Sequence, residues 1–189
     1  MKKNLGNISA VYPMPVLMIA AYDENGNVNV MNAAWGIMCD YDKVALNVDE
    51  DHKTMQNILK TKAFTVALAD FKHMAEADYF GMVSGNDVPD KFEKTGMTAV
   101  KSEFVNAPVI NEFPVAMECE LYDVVEKEKM YCMVGKIVNV TADEELVGAD
   151  GKVDISKADI LAFDTFKGNY YRLGELAGKA WSEGEKVGK

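Results

Sequence analysis

Short apolar runs and alternating apolar and polar positions dominate this chain, and both patterns predict β-strands. The run 16–22 is almost continuously apolar, which indicates a strand buried on both faces, whereas 63–69 alternates and predicts a half-buried strand. Asn25-Gly26 suits a tight turn and predicts a hairpin between the first two strands. The predicted strands are 16–22, 28–33, 43–48, 63–69, 115–125 and 130–141, with shorter segments at 160–163 and 169–173.

Helical patterns are short by comparison, and two long stretches have no clear periodicity. The predicted helical segments are 55–60, 71–82 and 90–94. The stretch 99–111 is predicted to be irregular and 143–156 to be a polar loop. Gly135 is expected to mark a bulge, because the alternation of its strand slips there. Many sequence-adjacent strands with only short helices predict a mostly β fold, built as an antiparallel barrel.

Length and charge narrow the classes of function. With 189 residues the chain is predicted to form one domain, 1–189, that ends in a polar tail over 174–189. The net charge is −10 and Arg172 is the only arginine, which argues against nucleic-acid binding because that requires a basic face. The absence of a long apolar run or an apolar secretion core predicts no membrane association and a cytoplasmic location. Three cysteines without a C-x-x-C pair and only two histidines predict free thiols and no metal site.

The stretch 26–54 combines two features that together suit a flavin mononucleotide. Small residues at Ala33 and Ala34 let a planar ring approach the backbone, and Trp35 can form a wall beside it. Further on, a predicted strand leads into a helix start, where unpaired N–H groups and the helix dipole favour a phosphate. Lys53 adds a positive charge there, and the Thr54 hydroxyl either caps the helix or bonds a phosphate oxygen. A site for a ring at one end and a phosphate at the other predicts FMN.

Each of these residues also has a plainer interpretation. Taken alone, Thr54 reads as an N-cap, Lys53 as a surface lysine and Trp35 as a core residue. The prediction rests on their joint order and spacing. The chain contains no G-x-G-x-x-G after a strand, no P-loop and no G-x-S-x-G, so the common dinucleotide, nucleotide and hydrolase motifs are not indicated.

Short motifs that follow one another along nearly the whole chain carry a family resemblance. They are Pro13-Met14-Pro15-Val16, Asn29-Val30-Met31-Asn32-Ala33-Ala34-Trp35, His52-Lys53-Thr54, Ser84-Gly85, Asp90-Lys91-Phe92 and Gly168-Asn169-Tyr170-Tyr171. In this order the sequence resembles the flavin reductase-like, FMN-binding split-barrel family, and within it the flavoredoxin-like branch. The sequence departs from the family at Asp40-Tyr41-Asp42, where members often carry prolines.

The resemblance implies an antiparallel split β-barrel that binds FMN near the interface of a homodimer, with the tail 174–189 docked on the dimer. It places 29–35 along the ring and ribityl chain and 52–54 at the phosphate, and it puts three later residues at the border of the same pocket. The implied FMN-binding residues are Asn29, Met31, Asn32, Ala33, Ala34, Trp35, His52, Lys53, Thr54, Ser84, Gly85 and Lys91.

Three functions remain open at this point. The first is a flavoprotein oxidoreductase that passes electrons through bound FMN, with NAD(P)H or a small electron-carrier protein as its unidentified redox partner. The second is an NAD(P)H-dependent flavin reductase that uses FMN as a substrate. The third is a non-catalytic dimer that binds a flavin or another ligand. No catalytic side chain is assigned, and Tyr170 and Tyr171 are expected to pack the barrel or the dimer.

Overall fold

A computed structural model of the chain describes residues 1–128 and 130–187. The strands are β1 (Met14–Pro15), β2 (Leu17–Tyr22), β3 (Val28–Ala33), β4 (Gly36–Asp40), β5 (Lys43–Asn47), β6 (Ala63–Leu68), β7 (Ala99–Lys101), β8 (Pro108–Ile110), β9 (Val115–Lys127), β10 (Met130–Ala142), β11 (Leu161–Asp164) and β12 (Asn169–Arg172). The helices are α1 (Lys53–Thr61), α2 (Met74–Met82) and α3 (Lys91–Thr95). In the described part of the chain, no helix has the length and apolar character needed to cross a membrane.

Seven strands form one antiparallel sheet whose ends are brought together by the chain itself. The order is β3-β2-β6-β9-β10-β5-β4, so β3 and β4 lie at opposite ends, although only Ala34 and Trp35 separate them in sequence. A connection this short spans about 11 Å, so the sheet must curl until its two ends meet. Gly36 stands at this corner, where a Cβ atom would overlap the side chains of Leu17 and Leu46. The prediction of a mostly β, antiparallel barrel is confirmed.

The central strands of this sheet are buried on both faces, and their alternation sorts side chains into two core clusters. On β2, Met18 and Ala20 join one cluster, whereas Leu17 and Ile19 join the other. This confirms the prediction for 16–22. The prediction of a half-buried strand over 63–69 is wrong, because five of the six residues of β6 are buried. β6 lies between β2 and β9 in the middle of the sheet, so both of its faces are covered.

Two local features follow directly from the sequence. The hairpin between β2 and β3 forms around Gly26, which has a φ of 84° and therefore takes a conformation that glycine adopts without strain. The pairing of β9 with β10 shifts register between Val134 and Gly135, as predicted for a bulge. A Cβ atom at Gly135 would overlap the ring of the buried Phe64, so the bulge also makes room for the core.

Several stretches depart from the predictions. The stretch 99–111 is not irregular, because β7 and β8 pair as a small hairpin in which Val100 lies opposite Val109. β4 was missed, since it is an edge strand whose side chains are mostly exposed and show no alternation. The predicted helix 71–82 begins only at Met74. Lys129, between β9 and β10, lies outside the described residues, as do Gly188 and Lys189 of the tail.

Candidate functional site

The start of α1 presents free backbone donors to a cavity. The first intrahelical bond runs from the Gln56 N–H to the His52 carbonyl, 3.0 Å away, so the N–H groups of 53–55 point out of the helix end. His52 occupies the N-cap position with an extended backbone, and among the described residues its side chain caps none of them. Thr54 is therefore the second helical residue, and the interpretation of Thr54 as an N-cap is wrong.

A hydrogen bond from a buried asparagine holds the Thr54 side chain in place. Asn29 on β3 donates its Nδ2–H to the Thr54 hydroxyl oxygen at 2.5 Å, and both residues are buried. Gly85 closes over this pair, because a Cβ atom there would overlap the Asn29 side-chain oxygen. The Thr54 hydroxyl is thus fixed as an acceptor toward Asn29, which leaves its own hydrogen to be donated elsewhere.

Lys91 contributes a buried amine beside the same cavity. Its Nζ donates to two carbonyl oxygens. One belongs to Phe80 in the last turn of α2, at 3.4 Å, and the other to Val83, the residue after α2, at 3.0 Å. The residue is only 2% exposed, and this burial lowers the pKa of Lys91 to about 8. Lys91 therefore acts first as a cap for the carbonyl end of α2, where a cation also complements the helix dipole.

These residues line a cavity of about 490 Å³, which we call the polar half. Its walls are the start of α1, the end of α2 and the turn that follows α2. The residues of these walls that carry donors include Lys53, Thr54 and Ser84, and Asp51 and Asp87 line the same cavity. Such a set of donors is suited to an anion with several oxygen atoms.

A second cavity of about 740 Å³, the aromatic half, lies at the corner where the sheet closes. Trp35 lies at that corner and is 52% exposed, so its interpretation as a core residue is wrong. Its ring lies 6.4 Å from that of Phe163 on β11, which in turn lies 6.0 Å from Tyr170 on β12. Ala33 and Ala34 form the adjoining wall and leave the backbone open to a flat ligand.

A tyrosine–aspartate pair in the aromatic half was missed by the sequence predictions. The Tyr170 hydroxyl donates to Asp78 Oδ1 on α2 at 2.8 Å, and burial together with this carboxylate raises the pKa of Tyr170 to about 12. Asn32 donates its Nδ2–H to the Ala77 carbonyl at 3.0 Å, which fixes α2 against β3 beside the pair. The pair joins residues 92 positions apart, so no local pattern points to it.

The two halves form one continuous cleft, because they share Met31, Asn32, His52, Gly81 and Met82. Eleven of the twelve residues implied by the resemblance line it. The aromatic half is lined by Met31, Asn32, Ala33, Ala34, Trp35 and His52. The polar half is lined by Met31, Asn32, His52, Lys53, Thr54, Ser84, Gly85 and Lys91. Asn29 lies beneath the cleft and supports Thr54.

Other reactive side chains lie apart from this arrangement or are exposed beside it. Asp49, Asp51 and His52 bring potential ligand atoms within 4.8 Å of one another, but all three are exposed, and this alone does not define a metal site. Cys39 is exposed on β4 and its thiol faces the Lys43 carbonyl at 3.6 Å. Burial raises the pKa of Cys119 to about 12, so this thiol remains protonated and inert at neutral pH.

Comparison with known proteins identifies the family. The sequence matches the flavin reductase like domain over residues 9–163, which is most of the chain. The chain belongs to the flavin reductase-like domain family. The structure is also similar to flavoredoxin of Desulfovibrio vulgaris (Miyazaki F), with a TM-score of 0.92, 35% identity and coverage of 97% of this chain and 100% of that chain. The resemblance to this family and to its flavoredoxin branch is confirmed.

Two further proteins are similar to this chain. Flavoredoxin from Methanosarcina acetivorans superposes with a TM-score of 0.88 at 27% identity, covering 98% of each chain. An uncharacterized protein of Aeropyrum pernix is 31% identical over 118 residues, which cover 61% of this chain and 44% of that protein. The chain thus spans less than half of the Aeropyrum pernix relative, whereas it spans nearly the whole of both flavoredoxins. The split-barrel fold of the flavin reductase-like family is confirmed.

Proposed function

We propose that this chain is an FMN-binding flavoprotein oxidoreductase that passes electrons through a bound FMN. One observation carries the proposal: a single cleft joins a set of anion-binding donors at the start of α1 to an aromatic cavity at the closure of the barrel. Membership of the flavin reductase-like family supports the choice of a flavin over other ligands that combine a ring with a phosphate.

The donor chemistry of the polar half fits a terminal phosphate. Lys53 and Thr54 line one wall at the start of α1, where the N–H groups of 53–55 precede the first intrahelical bond, and a phosphate can accept from such donors. Asn29 orients Thr54 before any ligand binds, so little side-chain entropy is lost on binding. Lys91 adds positive charge nearby while its hydrogens remain on the carbonyls of α2.

The aromatic half suits the planar ring of the same ligand. Trp35 and Phe163 provide flat apolar walls, and the alanines at 33 and 34 leave the backbone accessible. β3 is the terminal strand of the sheet, so in the described part of the chain one side of its backbone pairs with no other strand. Its free N–H and C=O groups match the alternating acceptors and donors along a flavin edge.

A bound flavin would supply the redox chemistry, and the chain would supply binding, orientation and the local field. Lys53 and Thr54 would hold the phosphate, Asn32 to Trp35 would orient the ring, and Phe163 and Tyr170 would exclude water from one side. The hydrogen bond that Tyr170 donates to Asp78 would keep this phenol protonated, and so uncharged, at physiological pH.

We also propose that the chain is a homodimer. The edge strand β4 and the turn after it expose Ile37, Met38 and Tyr41, which are 72%, 48% and 103% exposed, beside an apolar groove of about 650 Å³. Apolar residues this exposed on an edge strand favour burial against another chain. Sedimentation analysis should give twice the chain mass, and Ile37→Lys should shift it toward the monomer. A monomeric wild type would contradict this proposal without affecting FMN binding by one chain.

The first test is the visible spectrum of the purified protein after extensive gel filtration. Retained flavin bands, with FMN identified after denaturation, are expected for an oxidoreductase with a bound cofactor. A colourless protein that regains the bands with FMN and reduces free flavin with NAD(P)H would favour the flavin reductase alternative. A protein that neither retains FMN nor binds added FMN would overturn the proposal.

A matched pair of double variants tests the phosphate assignment. Lys53→Ala with Thr54→Ala should weaken FMN binding by roughly 10–100-fold and leave riboflavin binding unchanged, since only FMN carries the phosphate. The control is Lys60→Ala with Thr61→Ala, which makes the same changes at the other end of α1. Equal losses for FMN and riboflavin would contradict the assignment.

A further inference from the structure

The carboxylate of Asp78 is the feature of the aromatic half that the proposed function leaves unexplained. Asp78 lies on α2 and lines this cavity together with aromatic and apolar side chains and a second carboxylate, the exposed Asp49. A carboxylate beside aromatic walls is screened less than one in bulk water, so it repels an anion that enters the cavity.

One oxygen of the Asp78 carboxylate already accepts a hydrogen bond, and the other is available to a ligand. Asp78 Oδ1 accepts the hydrogen of Tyr170 at 2.8 Å. Within residues 1–128 and 130–187, Oδ2 accepts no hydrogen bond and Asp78 forms no ion pair. The free oxygen is thus able to accept from an N–H or O–H group of a ligand, whereas a negatively charged group beside it is repelled.

The surrounding contacts hold Asp78 in this position. Tyr170 is fixed through its ring against Phe163 at 6.0 Å, and Phe163 lies 6.4 Å from Trp35. On the other side, the bond from Asn32 to the Ala77 carbonyl anchors the helix turn that carries Asp78. The carboxylate therefore has little freedom to turn away from a ligand in the cavity.

We propose that the aromatic half, beside the cofactor ring that the proposed function places there, also accepts an uncharged planar substrate that carries an N–H or O–H donor, and that Asp78 disfavours anionic analogues. The inference rests on the proposed function for the role of this substrate as a redox partner of the cofactor, and it concerns only the charge of the part that enters the cavity. Asp78 is in this sense a residue that determines specificity, held in position by Tyr170.

Two ligands of nearly the same shape test the proposal without any turnover. Naphthalene-2-sulfonamide is neutral and offers an N–H donor, whereas naphthalene-2-sulfonate carries a negative charge and only acceptors. Their affinities are measured by calorimetry on the purified protein and on the FMN-saturated protein. The wild type should prefer the sulfonamide by at least about tenfold.

Asp78→Asn should clearly reduce this preference, because asparagine keeps the shape and still accepts from Tyr170, while the exposed Asp49 keeps its charge. Glu76→Gln is the matched control, since it removes the same charge from the same helix at a residue outside the cavity lining. Tyr170→Phe keeps the charge but releases Asp78 Oδ1, so a smaller preference should remain. With the wild type alone, added NaCl should narrow the ratio of the two affinities, which provides a test if Asp78→Asn does not fold.

Three results would overturn the proposal: no preference in the wild type, an unchanged preference in Asp78→Asn, or binding of neither ligand. Failure of the proposed function is read separately, from the FMN titration of the same samples. If the protein discriminates between the two naphthalenes but does not bind FMN, the charge selection by Asp78 is supported and the redox role of the substrate is rejected.

Discussion

The polar and aromatic halves of the cleft are built on different physical principles. In the polar half, Asn29, Thr54 and Lys91 are buried and already hydrogen-bonded, Asn29 with Thr54 and Lys91 with the end of α2. In the aromatic half, Trp35 and Met82 are exposed by 52% and 76%, and the walls meet through ring contacts. A fixed set of donors suits one invariant group, whereas an open aromatic cavity suits exchange of ligands. We therefore expect the polar half to hold the phosphate and the aromatic half to be the part where ligands exchange and react.

The largest expected effect comes from overfilling the polar half. Gly85→Ala would force Asn29 to move, because the added Cβ overlaps its side-chain oxygen, and the bond to Thr54 would break. We expect the free energy of unfolding to fall by about 1–3 kcal/mol and FMN binding to weaken as well. Urea unfolding and FMN titration measure the two effects. Ser84→Ala, at the exposed neighbouring residue, is the control and should change stability much less.

The buried amine of Lys91 gives the polar half a pH signature. Its pKa is lowered to about 8 in the folded chain, so between pH 8 and the ordinary lysine pKa near 10.4 the unfolded chain binds more protons. The stability of the wild type relative to Lys91→Met should therefore rise with pH, by about 2 kcal/mol from pH 7 to 9.5. Urea unfolding of both proteins at the two pH values checks this. A constant difference would mean that Lys91 remains fully charged.

In the aromatic half, the corresponding test removes one hydroxyl. Tyr170→Phe deletes the donor to Asp78 and should lower the free energy of unfolding by about 1–2 kcal/mol, because this part-buried bond lies between a typical hydrogen bond and a fully buried one to a charged group. Tyr171→Phe is the matched control at an exposed neighbour and should have almost no effect. If both variants lose the same stability, the bond to Asp78 contributes nothing specific.

The smallest expected effect lies at His52, where the two halves meet. Its side chain caps none of the free N–H groups among the described residues, so His52→Asn should add a cap and stabilise the protein by about 0.5–1 kcal/mol. The new cap competes with a phosphate for the same donors, and FMN affinity should fall about threefold to tenfold. His52→Ala separates the loss of the ring from the gain of the cap. A gain in stability that persists in the FMN-saturated protein would show that the phosphate does not use these donors.

The two halves also differ in how far the sequence revealed them. Lys53 and Thr54 stand together where a strand leads into a helix, so their placement at a helix start follows from local pattern. The aromatic half collects residues from α2, β11 and β12, and its pair of Asp78 and Tyr170 spans 92 positions. No periodicity records a contact of that kind, because it depends on how the sheet closes.

The sequence by itself determined the longer strands, the hairpin at Gly26 and the bulge at Gly135, because alternation and glycine conformation are properties of a few neighbouring residues. It missed the edge strand β4 and the short strands β7 and β8. It also placed the motif from Asn29 to Trp35 beside the motif from His52 to Thr54 through their order along the chain. Only the tertiary structure decided that β6 is buried on both faces and that Thr54 is not an N-cap. It also decided that a carboxylate faces the aromatic cavity. Burial and charge environment depend on which distant strands become neighbours, and this is fixed only when the two ends of the sheet meet at Trp35.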